Sequence, residues 1–211
     1  MRASHSRKFI FLSNPRTASR AVRALLDPYS DEISVPYEAV SDFNPFYNHI
    51  TAREVRDIFR DRGLIFSDYF SFCFVRNPLD RLLSLHSLSI EERQRKKLPS
   101  LSFDEFVKKN VTDVFWERDF RPKNKFFMTS PLQYFVCDEI GEIIVDKIYM
   151  QENIVSAVMD LAERLGVPAP NDIPVVGKSN RGRFRNDVSK TSLDVIRSVY
   201  HWEIEMFGYE V

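Results

Sequence analysis

Two stretches of the chain share one layout. In FIFLSNPRTASRAV (residues 9–22) and FSFCFVRNPLDRLLSLHS (residues 70–87), a short apolar run stops at or next to Asn-Pro and passes straight into helical spacing. An apolar run this short, closed by a turn signal, reads as a buried strand. Asparagine is a good helix N-cap, and proline a good first helical residue. A strand that feeds a helix, with no hairpin partner next in sequence, belongs in a parallel sheet. This feature alone narrows the fold to α/β.

The rest of the chain repeats the alternation. Strands are expected at Lys8–Ser13, Tyr69–Arg76 and Val145–Gln151. Ala18, Ala21, Val22, Leu25 and Leu26 give the first helix its apolar face, and Asp27-Pro28 stops it. Thr51 with Glu54 predicts a capping box opening a helix over Thr51–Arg62, with Ile50 and Val55 as its staple and Gly63 as its stop. Ser102 with Glu105 predicts a second box over Ser102–Asn110. Glu91–Lys97 reads as a solvated helix end and loop, and a short helix is expected around Leu132–Cys137. Ile154–Leu165 is an amphipathic helix closed by Gly166, and Ser189–Phe207 a final helix. Residues 29–48 read as loop with short helical turns, and His5 falls in a frayed terminus.

Length and composition bound the function. A chain of 211 residues suggests one domain, 1–211, with a sizeable core. Lys and Arg number 30 and so do Asp and Glu, so the whole molecule is not a polyanion binder and a nucleic-acid partner is not expected. Any anion site is local. Cys73 and Cys137 lie far apart with no metal-ligand spacing, which argues against structural zinc and fits a reducing, cytoplasmic compartment. The first apolar run is too short for a signal peptide, and no stretch reaches membrane-spanning length.

Each strand–loop–helix unit offers a place for an anion. Helix N-termini present unpaired N–H groups and the positive end of the macrodipole. Arg16 adds a charge to the first unit, and Thr17 and Ser19 add hydroxyls. The loop contains no glycine, so it does not match the Walker pattern, and on this stretch alone an ordinary βα turn with a surface arginine is the favoured reading. Arg76 ends the second strand, where α/β sheets bind ligands, and Ser84 adds a hydroxyl. A structural arginine tying down the loop is the competing reading. His49 lies two residues before the N-cap of a helix, whose positive end favours a neutral imidazole. His86 falls on an apolar face and reads as core. Glu203 lies on an apolar side and should pair with an arginine.

Five segments in order resemble the sulfotransferase family. FSFCFVRNPLDRLLSLHS resembles its 3′-phosphate-binding segment, FxFVRNPxDRLxSxY, with Arg76 and Ser84 on the phosphate-binding Arg and Ser. FIFLSNPRTASRAV is similar to its 5′-phosphosulfate loop, commonly IPKTGGTS. NHITAREVRDIF resembles H-x-T-A-x-E-hydrophobic of the bacterial and carbohydrate members. VDKIYMQENIVSAV and SVYHWEIEMFGYEV are similar to its later strand–helix and its C-terminal ending, with Glu203 in place of an Asp.

The resemblance implies a P-loop-like three-layer α/β fold, with a mainly parallel central sheet flanked by helices. It implies 3′-phosphoadenosine-5′-phosphosulfate (PAPS) as co-substrate, no metal, and a hydroxyl acceptor, with a carbohydrate as one candidate. It carries donor binding to Arg16, Thr17, Ala18, Ser19, Arg20, Arg76 and Ser84, and to Lys178, Asn180, Arg181 and Arg183 of the basic loop GKSNRGRFRN. It makes His49 the base and Arg16 the group that stabilises charge on the leaving phosphate. Two departures stand out: Arg16 replaces the family lysine, and Ser19-Arg20-Ala21 replaces Gly-Thr-Ser. Arginine keeps the charge but is a poor proton donor. A P-loop-type small-molecule kinase and a catalytically decayed nucleotide-binding module remain as alternatives.

Overall fold

A computed structural model describes residues 1–17, 19–111, 128–170 and 188–211. The described residues fall into two compact units. One is drawn from Met1–Val75 and Leu132–Gly177, the other from Arg76–Pro131 and Lys178–Val211.

The first unit is built on a five-stranded sheet. Its strands are β1 (Arg2–Ser4), β2 (Phe9–Leu12), β3 (Glu32–Ile33), β4 (Phe70–Val75) and β5 (Lys147–Met150), in the order β3-β1-β2-β4-β5. The pairs β2–β4 and β4–β5 are parallel, in the register Phe11↔Phe72 and Phe74↔Tyr149. The parallel core expected from the alternation is therefore present. On its flank, β1 pairs antiparallel with both β2 and β3. His5 accordingly does not fray: its Nδ1 lies 2.9 Å from the Tyr69 hydroxyl, directly after buried Ser4.

Side chains alternate across the sheet, as the pleat requires. Phe9, Phe11, Phe72, Phe74 and Tyr149 share one face with apolar residues of helix α1 (Ser19–Leu26) and helix α6 (Ile154–Leu165) in one buried cluster. Ile10, Leu12, Cys73 and Val75 alternate with them and are also buried, so the central strands are shielded on both faces. Helix α2 (Ala52–Asp61) has the capping box read from the sequence, and α6 closes on Gly166 at φ +61°. The short helix α5 spans Leu132–Val136.

The second unit is helical in its described residues: α3 (Pro78–Arg95), α4 (Phe103–Asn110), α7 (Lys190–Val199) and α8 (His201–Phe207). Leu82, Leu83, Phe103, Phe106, Ile196 and Tyr200 belong to its core cluster. The expected single last helix is two helices, because the chain leaves helical geometry at Tyr200 (φ −106°, ψ 19°). The buried Tyr200 hydroxyl is held on the Thr129 carbonyl. No described helix is long and apolar enough to cross a membrane.

Candidate functional site

The loop after β2 is closed by one residue. Asn14 donates through Nδ2 to the Phe74 carbonyl at 2.9 Å, fixing the loop to β4. Its own carbonyl accepts from Thr17 Oγ1 at 3.0 Å and Ser19 Oγ at 3.1 Å. Between them, Arg16 takes the left-handed conformation at φ +62°. A non-glycine residue there costs about 1–2 kcal/mol, and such strain gathers at functional sites. This left-handed turn is made by an exposed arginine.

The chemistry of this loop suits an anion. Helix α1 has no acidic residue in its first turn, so its positive end is not compensated by its own sequence. Each hydroxyl has a single proton, and those of Thr17 and Ser19 go to Asn14. An anion at this loop would therefore meet backbone N–H groups and the Arg16 charge rather than those hydroxyl protons. Arg20 is exposed on the first turn of α1. Arg23, on the next turn, is partly buried and donates through Nε to the Ser19 carbonyl at 3.2 Å. Ala18 lies outside the described residues.

His49 is joined to the same loop. Its Nδ1 sits 2.5 Å from the Ser13 carbonyl. A carbonyl can only accept, so Nδ1 carries the proton and Nε2 of the neutral ring holds a lone pair. The ring's pKa is lowered to about 4: burial is the largest cause, the chain's amino group, Arg23 and Arg16 add to it, and the Ser13 bond opposes them. The ring is neutral at pH 7, as the sequence reading expects. The larger cause is burial, which the pattern around the helix cap could not show. His49 is also left-handed, at φ +66°.

Beyond β4, Arg76 and helix α3 belong to the other unit. Arg76 and Ser84 are 4% and 3% exposed. Asn77 caps α3, accepting from the Asp80 N–H at 3.2 Å and donating to the Glu210 carbonyl at 2.9 Å. Asp80 supplies an acidic group to the first turn of α3, which α1 lacks. Arg81 donates to the carbonyls of Met128 and Ser130 at 3.3 and 3.0 Å, lies 3.8 Å from the Glu203 carboxylate and stacks over Tyr200. That pair is the arginine partner expected for Glu203, and its place is structural. His86 is core, as expected, with its Nε2 on the Leu101 carbonyl and its ring against Phe103 and Phe106.

Lys178, Asn180, Arg181 and Arg183 lie outside the described residues. Among the described residues, no three His, Cys, Asp or Glu side chains are grouped to hold a metal ion.

A sequence profile of the Sulfotransferase family matches residues 5–210. No curated protein matches the chain. Among solved structures, the chain is similar to mouse sulfotransferase SULT7A1 complexed with PAP, at 11% identity over 91% of this chain and 79% of that one, with a TM-score of 0.43. It is also similar to a sulfotransferase from Alicyclobacillus acidocaldarius, at 14% identity over 92% and 95%, with a TM-score of 0.42.

Proposed function

The chain belongs to the sulfotransferase family, and we propose that it transfers a sulfuryl group from PAPS to a hydroxyl acceptor, with carbohydrate hydroxyls as the first class to test. The family match spans both compact units, which supports reading residues 1–211 as one working domain. The observation that carries the mechanism is the His49–Ser13 hydrogen bond, because it sets an unprotonated Nε2 on a ring tied to the anion loop.

In this reading the acceptor hydroxyl gives its proton to His49 Nε2 while its oxygen forms the new S–O bond. The bond from sulfur to the bridging oxygen breaks in line. The electron pair leaves on the 5′-phosphate of 3′-phosphoadenosine-5′-phosphate. Arg16 and the N–H groups at the start of α1 stabilise that charge as it develops. Arg76 and Ser84 hold the 3′-phosphate, and the basic loop at Lys178, Asn180, Arg181 and Arg183 completes the donor contacts; these roles rest on the sequence resemblance.

Calorimetry tests the donor assignment. Arg76→Ala should weaken binding of 3′-phosphoadenosine-5′-phosphate by about 1.5–3 kcal/mol, while binding of adenosine-5′-phosphate stays nearly unchanged. Equal losses for both ligands refute the placement of the 3′-phosphate at Arg76.

A further inference from the structure

His49 sits between two residues that share one carboxylate. Tyr47 lies two positions before it and Thr51 two positions after. The Tyr47 hydroxyl donates to both oxygens of Glu54, at 2.8 and 2.7 Å. Thr51 donates to Glu54 Oε2 through its backbone N–H at 3.1 Å and its hydroxyl at 2.7 Å. The Glu54 N–H returns a bond to Thr51 Oγ1, completing the capping box. An ordinary capping box needs only the two backbone N–H bonds, Thr51 N–H to Glu54 and Glu54 N–H to Thr51. The tyrosine bond is additional, and it closes a ring of contacts around the segment that holds His49.

That segment needs restraint. At φ +66° the His49 backbone is in a region that bulky residues avoid, and such a conformation persists only where its surroundings impose it. The segment is held on its far side too. The Val35 N–H donates to the Phe46 carbonyl and the Asn48 N–H to the Val35 carbonyl, both at 2.9 Å. Tyr47 is buried, and its ring meets Tyr37 edge-on at 5.3 Å. Burial and the Glu54 carboxylate both raise the pKa of the Tyr47 phenol, so its proton stays in place for the bond.

We propose that Tyr47 and Glu54 form a clasp that holds His49 in its left-handed conformation, with Nδ1 on the Ser13 carbonyl and Nε2 presented to the acceptor. They are positioning residues: neither touches a reacting atom, and both act through His49. The catalytic part of this inference rests on the sulfotransferase reading, whereas the clasp itself does not.

Tyr47→Phe is the sharpest test. It removes one hydroxyl, keeps the ring and changes no charge. Among the described residues, the chain's amino group, Arg23 and Arg16 act on the charge of the His49 ring, and the substitution leaves them untouched. Two readouts on the full chain separate the clasp from the reaction. The first is NMR titration of the His49 imidazole. With the clasp released, the ring should gain water and its midpoint should move upward, toward the ordinary histidine value of about 6.5. The second is single-turnover transfer from PAPS across a panel of carbohydrate and phenolic hydroxyls. Turnover should fall roughly 10- to 100-fold, as a misplaced base does, with unchanged affinity for 3′-phosphoadenosine-5′-phosphate.

Glu54→Gln should reproduce both effects. Should it fail to fold through loss of the helix cap, Tyr47→Phe decides alone. An unmoved His49 titration in Tyr47→Phe overturns the clasp. A moved titration with wild-type turnover overturns its part in catalysis. If the wild-type chain neither binds 3′-phosphoadenosine-5′-phosphate nor turns over, the sulfotransferase reading fails, and the titration still judges the clasp.

Discussion

In the proposed mechanism His49 is the base, and one bond decides which of its ring nitrogens carries the proton. The Ser13 carbonyl fixes the proton on Nδ1, and burial keeps the second proton off. His49→Ala should lower turnover roughly 10²- to 10⁴-fold, with little change in donor affinity measured by calorimetry. The pH profile should show the same residue twice. The acid limb of kcat/KM reports the free protein and should lie near the ring's pKa of about 4. Bound donor brings negative charge that offsets Arg16 and Arg23, so the acid limb of kcat should move to higher pH. Coincident limbs would place the donor away from His49. Arg16 gives a second contrast: Arg16→Lys should keep turnover and Arg16→Ala should lose it more than donor affinity, read in single turnovers with chelator present. Lysine and alanine variants that behave alike would remove Arg16 from the mechanism.

Among the elements, what local chemistry dictates was legible in the sequence, and what distant pairing dictates was not. The capping boxes at Thr51 and Ser102 are spelled by four residues each, and both are formed. The parallel strands β2 and β4 show as apolar runs because both of their faces are buried, whereas in β5 only Tyr149 is buried. Strands β1 and β3 have three and two residues, too few for a pattern, and exist through pairing with each other and with β2. The break at Tyr200 is likewise invisible in a continuous helical pattern, since the Thr129 carbonyl that holds its hydroxyl lies 71 residues away. At the site, the sequence pointed to His49 and Arg16 by type and position. Their left-handed backbones and the Asn14 hub need the folded chain.

Asp104 is a similar case. Its Oδ1 accepts from the Ser189 N–H, the Ser189 hydroxyl and the Ser192 hydroxyl, tying the first turn of α4 to the N-cap of α7. Asp104→Ala should cost about 1–3 kcal/mol in urea unfolding. A loss within error would mean that water replaces those bonds without cost.

For the molecule as a whole, formal neutrality concentrates the argument for an anion in one loop rather than in a global field. It also leaves pH effects on stability to individual groups. His49 is held near pKa 4 in the folded chain, against about 6.5 when unfolded. Between those values the unfolded state binds the extra proton, so stability is complete above about pH 6.5, falls as pH drops toward 4, and levels off below it. The contribution is on the order of 3 kcal/mol. His49→Gln should flatten that part of the urea midpoint against pH, while a slope unchanged by the substitution would show that the ring is solvated.

Sulfuryl transfer itself can be measured directly. Sulfur-labelled PAPS, the full chain, chelator and a panel of hydroxyl acceptors should yield labelled sulfate ester and 3′-phosphoadenosine-5′-phosphate in equal amounts, with no requirement for magnesium. Donor that binds but never transfers its label to any acceptor would contradict the account and mark the chain as a decayed binder. Magnesium-dependent transfer of phosphate from ATP, with no transfer from PAPS, would contradict it outright.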